Sequence, residues 1–593
     1  MKHLRSLNKY FIKYKWHFLL GVLFVTLSNI FSVLSPQVIR NAIDLVVENI
    51  KLYESFEGFT LQEAIGKLLS SGLIVFAVVY IALSLLKGLF MFLMRQTLII
   101  MSRHIEYDQK NALYAHYQKL TPAFYKINNT GDLMSRVAED VGRVRQYAGP
   151  AIMYFLNLLV LFTLVIWAMI DVSPILTMYV LIPLPILSIS IYYVNNMIEK
   201  RSELIQAQLS HLTSIAQETF SGIRVIKAYA QESNQVNYFE EHSEIYKTRS
   251  LDLARIDAMF QPLMVLLIGL STLITIFIGG WQVMQGTITT GNVAEFVIYV
   301  NMLTWPVTSL GWVVSIIQRA AVSQRRINEF MHTEPAIQEG TTTDYKVQGK
   351  VEFRNVSFTY PDTGIEALKE ISFTIEAGQK VAIIGRTGAG KTTIADLILR
   401  LYKPTSGQIL IDDIPTEDYG LSNLRENISY VPQDVFLFGD SIRNNITFGL
   451  EDIPLETIRQ FAKFASIDNE ISEFPKGYET LIGERGVTLS GGQKQRISIA
   501  RSFIINAPVI ILDDCLSAVD ANTEKTILEN MHQFIKSKTA IIITHRVSSL
   551  MDYDKIIVLD DHRIKEAGTH AELVKRKGIY YDILESQKSE DKE

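Results

Sequence analysis

Apolar residues are unevenly distributed along the chain. Runs near the ~20 residues that a bilayer crossing requires fall at about 17–39, 72–93, 148–169, 174–197, 259–284 and 296–317. Between the second and third runs, and between the fourth and fifth, apolar positions thin to a helical spacing instead of vanishing. Leu113, Leu120, Leu133, Val137, Val141 and Val144 mark the first connection, and Ile205, Leu209, Leu212, Ile215, Phe220, Ile223 and Val225 the second. Both connections are therefore expected to carry the membrane helices outward as helix–break–helix levers, with breaks around Thr121-Pro122 to Asp132 and at Ser221-Gly222. A passive helical hairpin is the alternative. Past residue 320 a polar helix (Ser323 to Glu329) gives way to the linker Glu339 to Asp344. Short β-branched strands at 351–360, 380–384, 509–512 and 540–544 follow. The pattern predicts an all-α membrane domain of six helices with long helical extensions over 1–320, a linker over 321–348, and an α/β domain over 349–593.

Charge orients the first of these domains. Connections at 45–70, 170–173 and 285–295, together with Asp44 just before them, are acidic, whereas those at 95–147 and 198–258 carry Arg95, Arg103, Lys110, Arg136, Arg143, Lys200, Arg201, Arg224 and Lys227. The basic connections are expected on the cytoplasmic side, and with them the N-terminus and the α/β domain. Met1 to Trp16, basic and aromatic with no cleavage site, reads as an amphipathic helix on the membrane surface. Polar residues within the spans are few: Asn29, Lys87 and Asn157, with Trp305-Pro306 as an expected kink. At 593 residues the chain exceeds one core, and its 48% hydrophobic content is concentrated in the first half. A net charge of −5 provides no global basic field and argues against nucleic acid as the main partner. The single cysteine, Cys515, excludes an intrachain disulfide and a thiolate metal cluster.

The α/β half holds the chemistry. Gly385-Arg386-Thr387-Gly388-Ala389-Gly390-Lys391-Thr392-Thr393 is a phosphate-binding loop between a buried strand and a helix. Its glycines let successive N–H groups face one anion, Lys391 reaches the β- and γ-phosphates of a nucleotide such as ATP, and Thr392 can ligate Mg²⁺. Leu489-Ser490-Gly491-Gly492-Gln493 opens a second helix with a further set of glycine-exposed N–H groups. The strand 509–512 ends in Asp513, placed to hold Mg²⁺ through water, and Asp514 follows where a carboxylate would polarise attacking water. The strand 540–544 ends in His545, which could contact the γ-phosphate or orient that water. Tyr360, at the end of the first strand, could stack on adenine.

These motifs together make residues 349–580 resemble the nucleotide-binding domain of an ATP-binding cassette protein, and the whole chain resembles a half-size ABC exporter. The discriminating motif is Leu489 to Gln493. The resemblance implies an adenine-stacking role for Tyr360, a metal and coupling role for Gln433 in Val431-Pro432-Gln433-Asp434, and a switch role for His545. It also implies that Gly483-Glu484-Arg485-Gly486 touches the levers and that Ser517-Ala518-Val519-Asp520 lies across a dimer interface. ATP would then lie between one P-loop and the opposite signature, so one chain requires a second. Asp514 departs from the family's usual Glu. The carboxylate is set back by on the order of 1 Å, enough to cost about a hundredfold in rate. That favours a heterodimer with a partner supplying Glu over a homodimer with two slow sites. The implied activity is ATP-driven efflux of a small amphipathic molecule, drug or lipid, across the cell membrane, with a peptide exporter or nucleotide-gated channel as alternatives. A soluble cassette ATPase acting on nucleic acid or ribosomes fits poorly with six spans.

Overall fold

In the computed structural model the described residues are 2–483, 486, 488–545 and 553–590. Two compact units divide the chain: Met1–His116 with Gly131–Thr333, and Tyr117–Thr130 with Glu334–Glu593. The short stretch 117–130, interrupting the helices of the first unit in sequence, belongs to the second.

The first unit is helical throughout. Among the described residues five helices are long and apolar enough to cross a membrane: Lys15–Ser55, Leu61–Tyr117, Thr130–Val172, Glu232–Met284 and Thr290–Met331. At 1.5 Å per residue, the 58-residue helix Thr60–Tyr117 is roughly 85 Å long, far more than a bilayer needs. The expected span at 174–197 differs from the other five. Its helix stops at Leu181 and restarts as Pro183–Ser221, because Pro183 has no N–H to donate and its ring crowds the preceding turn. Val33, Val165, Met169, Leu176, Val180, Phe296, Tyr299 and Leu303 form the packed centre of this unit. Of the three intramembrane polar residues, Asn29 and Asn157 meet, with the Asn29 side-chain amide donating to Asn157 at 2.9 Å. Lys87 lies on an exposed face. At the N-terminus Leu4 and Leu7 are buried, and Lys13 pairs with Asp108 at 2.6 Å.

The second unit is built on two sheets. β1 (Val351–Thr359), β2 (Glu366–Ile375), β4 (Ser406–Ile411) and β5 (Ile414–Pro415) form an antiparallel sheet in the order β2-β1-β4-β5. β3 (Lys380–Gly385), β6 (Ile428–Val431), β7 (Val509–Asp513), β8 (Thr539–Ile543), β9 (Lys555–Asp560) and β10 (Arg563–Gly568) form the other, in the order β10-β9-β3-β8-β7-β6. Its five strands from β9 to β6 are parallel. β3 and β7 are buried almost end to end, which explains why they read as continuous apolar runs and not as alternating ones.

Candidate functional site

Sheet order alone assembles the site. β3, β8, β7 and β6 are neighbours and run parallel, so the segments leaving their C-terminal ends line one edge. In that order they carry the loop Gly385 to Thr393, His545, Asp513 with Asp514, and Gln433. Register fixes the neighbours more closely: Asp513 stands opposite Ile543, and the Asp514 N–H donates to the Ile543 carbonyl at 2.8 Å. Asp514 itself has φ of 44°, in the left-handed region where aspartate is among the better tolerated residues.

The loop is wound for an anion. Gly388 and Gly390 have φ of 85° and 94°, and a Cβ at Gly390 would lie 2.2 Å from the Ala367 carbonyl oxygen. Only glycine fits there. Lys391, the first residue of the helix Lys391–Ile398, is buried and folds back so that its ammonium donates to the carbonyls of Gly385 and Arg386, both at 2.9 Å. Burial lowers its pKa, while Asp513 and Asp514 oppose that shift. Asp513 is held above the usual carboxylate range, first by burial and further by Asp514, against hydrogen bonding from Thr392 and attraction by Lys391. One of its oxygens, Oδ2, is buried with no hydrogen-bond partner among the described residues. An orphaned carboxylate oxygen beside a threonine hydroxyl and a buried lysine is a donor set that suits a hard divalent cation together with a polyphosphate. His545 is pushed below the ordinary imidazole range by burial and then by Lys391, with Asp514 opposing.

Tyr360 follows β1 and its hydroxyl meets that of Thr393 at 3.0 Å, tying the aromatic position to the phosphate loop. Sequence reasoning did not find what surrounds it. Tyr402 stands at right angles to Tyr360 with ring centres 5.4 Å apart, and Lys126, from the helix Pro122–Ile127, lies over both rings. Asp396, one turn beyond Thr392, has its pKa pushed up to about 6, mainly by burial, with Lys126 drawing it down. No local pattern around Lys126 marks it, since its partners are brought to it only by the tertiary fold.

The signature segment opens a different helix. Ser490 caps the helix Gly491–Ile505, accepting from the Gln493 N–H at 3.2 Å while the Gln493 side chain accepts from the Ser490 N–H at 2.9 Å. The Gln493 amide also donates to Glu470 at 2.8 Å. Ser517 and Ala518 are pinned to the same helix through Gln495. Among the described residues no hydrogen bond or ion pair joins 489–493 to 385–393. Glu484 and Arg485, the centre of the segment expected to touch the levers, lie outside the described residues.

Comparison with known proteins places the two halves. Residues 18–307 match the model of the ABC transporter transmembrane region, and residues 368–517 match that of the ABC transporter. The chain is 34% identical to the probable multidrug resistance ABC transporter ATP-binding/permease protein YheI of Bacillus subtilis, across 98% of this chain and 97% of that protein. It is 34% identical to the ATP-dependent lipid A-core flippase of Pseudomonas aeruginosa, across 83% of this chain and 82% of that one. A solved bacterial Atm1-family ABC exporter with ATP bound superposes with a TM-score of 0.73 at 25% identity, covering 98% of both chains. With a membrane-spanning helical region fused to an ATP-binding domain, the chain belongs to the ABC transporter family and is a half-size exporter of the kind that works as a dimer.

Proposed function

We propose that this chain is one half of a dimeric pump that uses ATP to expel a small amphipathic molecule, a drug or a lipid, from the cytoplasmic side of the cell membrane. The observation that carries this reading is the row of P-loop, His545, Asp513-Asp514 and Gln433 along one sheet edge. The multidrug and flippase relatives support the substrate class. Basic connections at 95–147 and 198–258 support a cytoplasmic ATP-binding half.

Residues 385–393 enclose the phosphates with backbone N–H groups, and Lys391 leaves the Gly385 and Arg386 carbonyls to neutralise them. Thr392, Asp513 and Gln433 would hold Mg²⁺, which would supply positive charge to offset that of the phosphates. Asp514 polarises the attacking water. His545, neutral near pH 7 because its pKa is depressed, orients that water or contacts the terminal phosphate. Tyr360 stacks on the base. Residues 489–493 complete the site on a second chain, so ATP draws two such domains together and the levers carry that motion to the membrane helices. Hydrolysis then separates them by charge repulsion and makes the cycle irreversible. Because Asp514 is a methylene shorter than the usual Glu, this chain's own P-loop site turns over slowly, and a partner supplying Glu is favoured over a second copy.

The test is ATP-dependent accumulation of an amphipathic dye in sealed inverted vesicles, with Lys391→Ala as the control. Uphill accumulation that this substitution abolishes supports the pump; dissipation alone would mean a channel and would overturn it.

A further inference from the structure

The helix Pro122–Ile127 carries Lys126 in its last turn, and Ala123 on the same helix packs against the apolar core beneath the sheets. The lysine ammonium lies 5.1 Å from the centre of the Tyr360 ring and 5.4 Å from that of Tyr402, inside the range in which a cation is held by an aromatic face. Three further contacts hold the Tyr360 side chain in place. Phe358 stands edge-on at 4.9 Å, Tyr402 at 5.4 Å, and the hydroxyl is tied to Thr393 of the phosphate loop. Tyr402 raises the pKa of the ammonium against the cost of burial, and Tyr360 and Asp362 add to that shift. The buried carboxyl of Asp396 lies close enough for Lys126 to draw its pKa down.

A ring gripped in this way has a bias. A cation on one face pulls π-electron density toward itself and makes the ring a better stacking partner for an electron-rich base on the other. We propose that Lys126 is a positioning residue of the nucleotide site: through the Tyr360 ring it favours adenine stacking, and adenine in turn favours the seated position of the helix Pro122–Ile127. The two effects are equal because coupling between two equilibria is reciprocal. In sequence this helix follows Thr60–Tyr117 and precedes the helical segment starting at Thr130. Occupancy of the base site is thereby tied to a segment continuous with the membrane helices, before any phosphate is cleaved. This inference rests on the base-stacking role proposed for Tyr360.

The experiment uses the purified dimer in lipid nanodiscs, with ADP as a probe that carries the base and inorganic tripolyphosphate as one that lacks it. Lys126→Met is expected to weaken ADP binding about fivefold, the order of one solvent-exposed cation–ring contact. Tripolyphosphate binding stays unchanged, and Lys126→Arg restores most of the ADP affinity. In a Tyr360→Ala background Lys126→Met should produce no further loss. ADP should also slow amide exchange over 122–127 in the wild type but not in Lys126→Met. Equal losses for both probes, or a Lys126→Met loss that persists without Tyr360, would overturn the proposal. Unchanged ADP binding in Tyr360→Ala alone would instead remove the base-stacking reading beneath it.

Discussion

The two long helical connections are each interrupted by a six-residue helix, and the two have different surroundings. The first, around Pro122–Ile127, belongs to the ATP-binding unit, where Ala123 packs on its core and Lys126 on its aromatic cluster. The second, around Ile223–Ala228, has no buried residue, and its neighbours Phe220 and Tyr229 are 74% and 73% exposed. The same contrast recurs in the ATP-binding unit. The P-loop edge is supplied with His545, Asp513 and Asp514 from within the chain, while among the described residues no hydrogen bond or ion pair joins the segment Leu489 to Gln493 to them. One chain thus packs one of the two turns, Pro122–Ile127, against its own core. On the function proposed above, the exposed aromatic turn and the helix start at Leu489 to Gln493 are what a second subunit would cover.

The strongest way to sharpen that contrast is at Asp514. Asp514→Glu in the purified chain should raise ATP turnover by up to about a hundredfold, because one methylene restores the reach of the carboxylate; an unchanged rate contradicts the slow-site reading. On the unmatched side, Ser490→Arg should cut dimer turnover by on the order of tenfold or more while leaving nucleotide binding by the same chain's P-loop intact. Loss of that binding would mean that the two motifs act within one chain.

The engaged turn also makes a prediction about pH. Asp396 has a folded-state pKa of about 6 against 3.8 for the free side chain, so the folded state binds the extra proton between those values. Stability from this group is present below pH 4 and lost as pH rises toward 6. Asp396→Asn should stabilise the nucleotide-free domain at pH 7 by on the order of 2 kcal/mol and flatten that part of the profile, as read by thermal unfolding. Removing Lys126 should steepen it. The smallest effects are expected at the exposed turn. Phe220→Ser and Tyr229→Ser should leave the stability of the chain within about 0.5 kcal/mol yet lower vesicle transport severalfold. Ala123→Asp in the engaged turn should destabilise, because it puts a charge against the core.

Much of this was legible in the residues. Spacing of Leu and Val marked the membrane helices and their extensions, and glycine with Lys391 and Thr392 marked the loop, because those features depend on local chain geometry. Sheet order was not readable locally. Only strand pairing shows that β8 lies between β3 and β7, and so that His545 joins the P-loop edge. The break at Pro183 inside an apolar run was masked by the hydrophobic count, which ignores missing N–H groups. Lys126 read as one more basic residue in a basic connection, since its meaning comes from Tyr360, Tyr402 and Asp396, far along the chain.

The central claim is that ATP pairs the signature of this chain with the cassette of another. A photo-crosslinker attached at Ser490→Cys tests it most directly. The native thiol of Cys515 is buried and its pKa pushed up to about 12, leaving the introduced thiol to react. In membranes, illumination with ATP should convert the chain to a species of about two subunits, with the adduct on a P-loop peptide of the second chain. Without ATP that species should be scarce. A crosslink confined to one chain, or equal yields with and without ATP, would contradict the account.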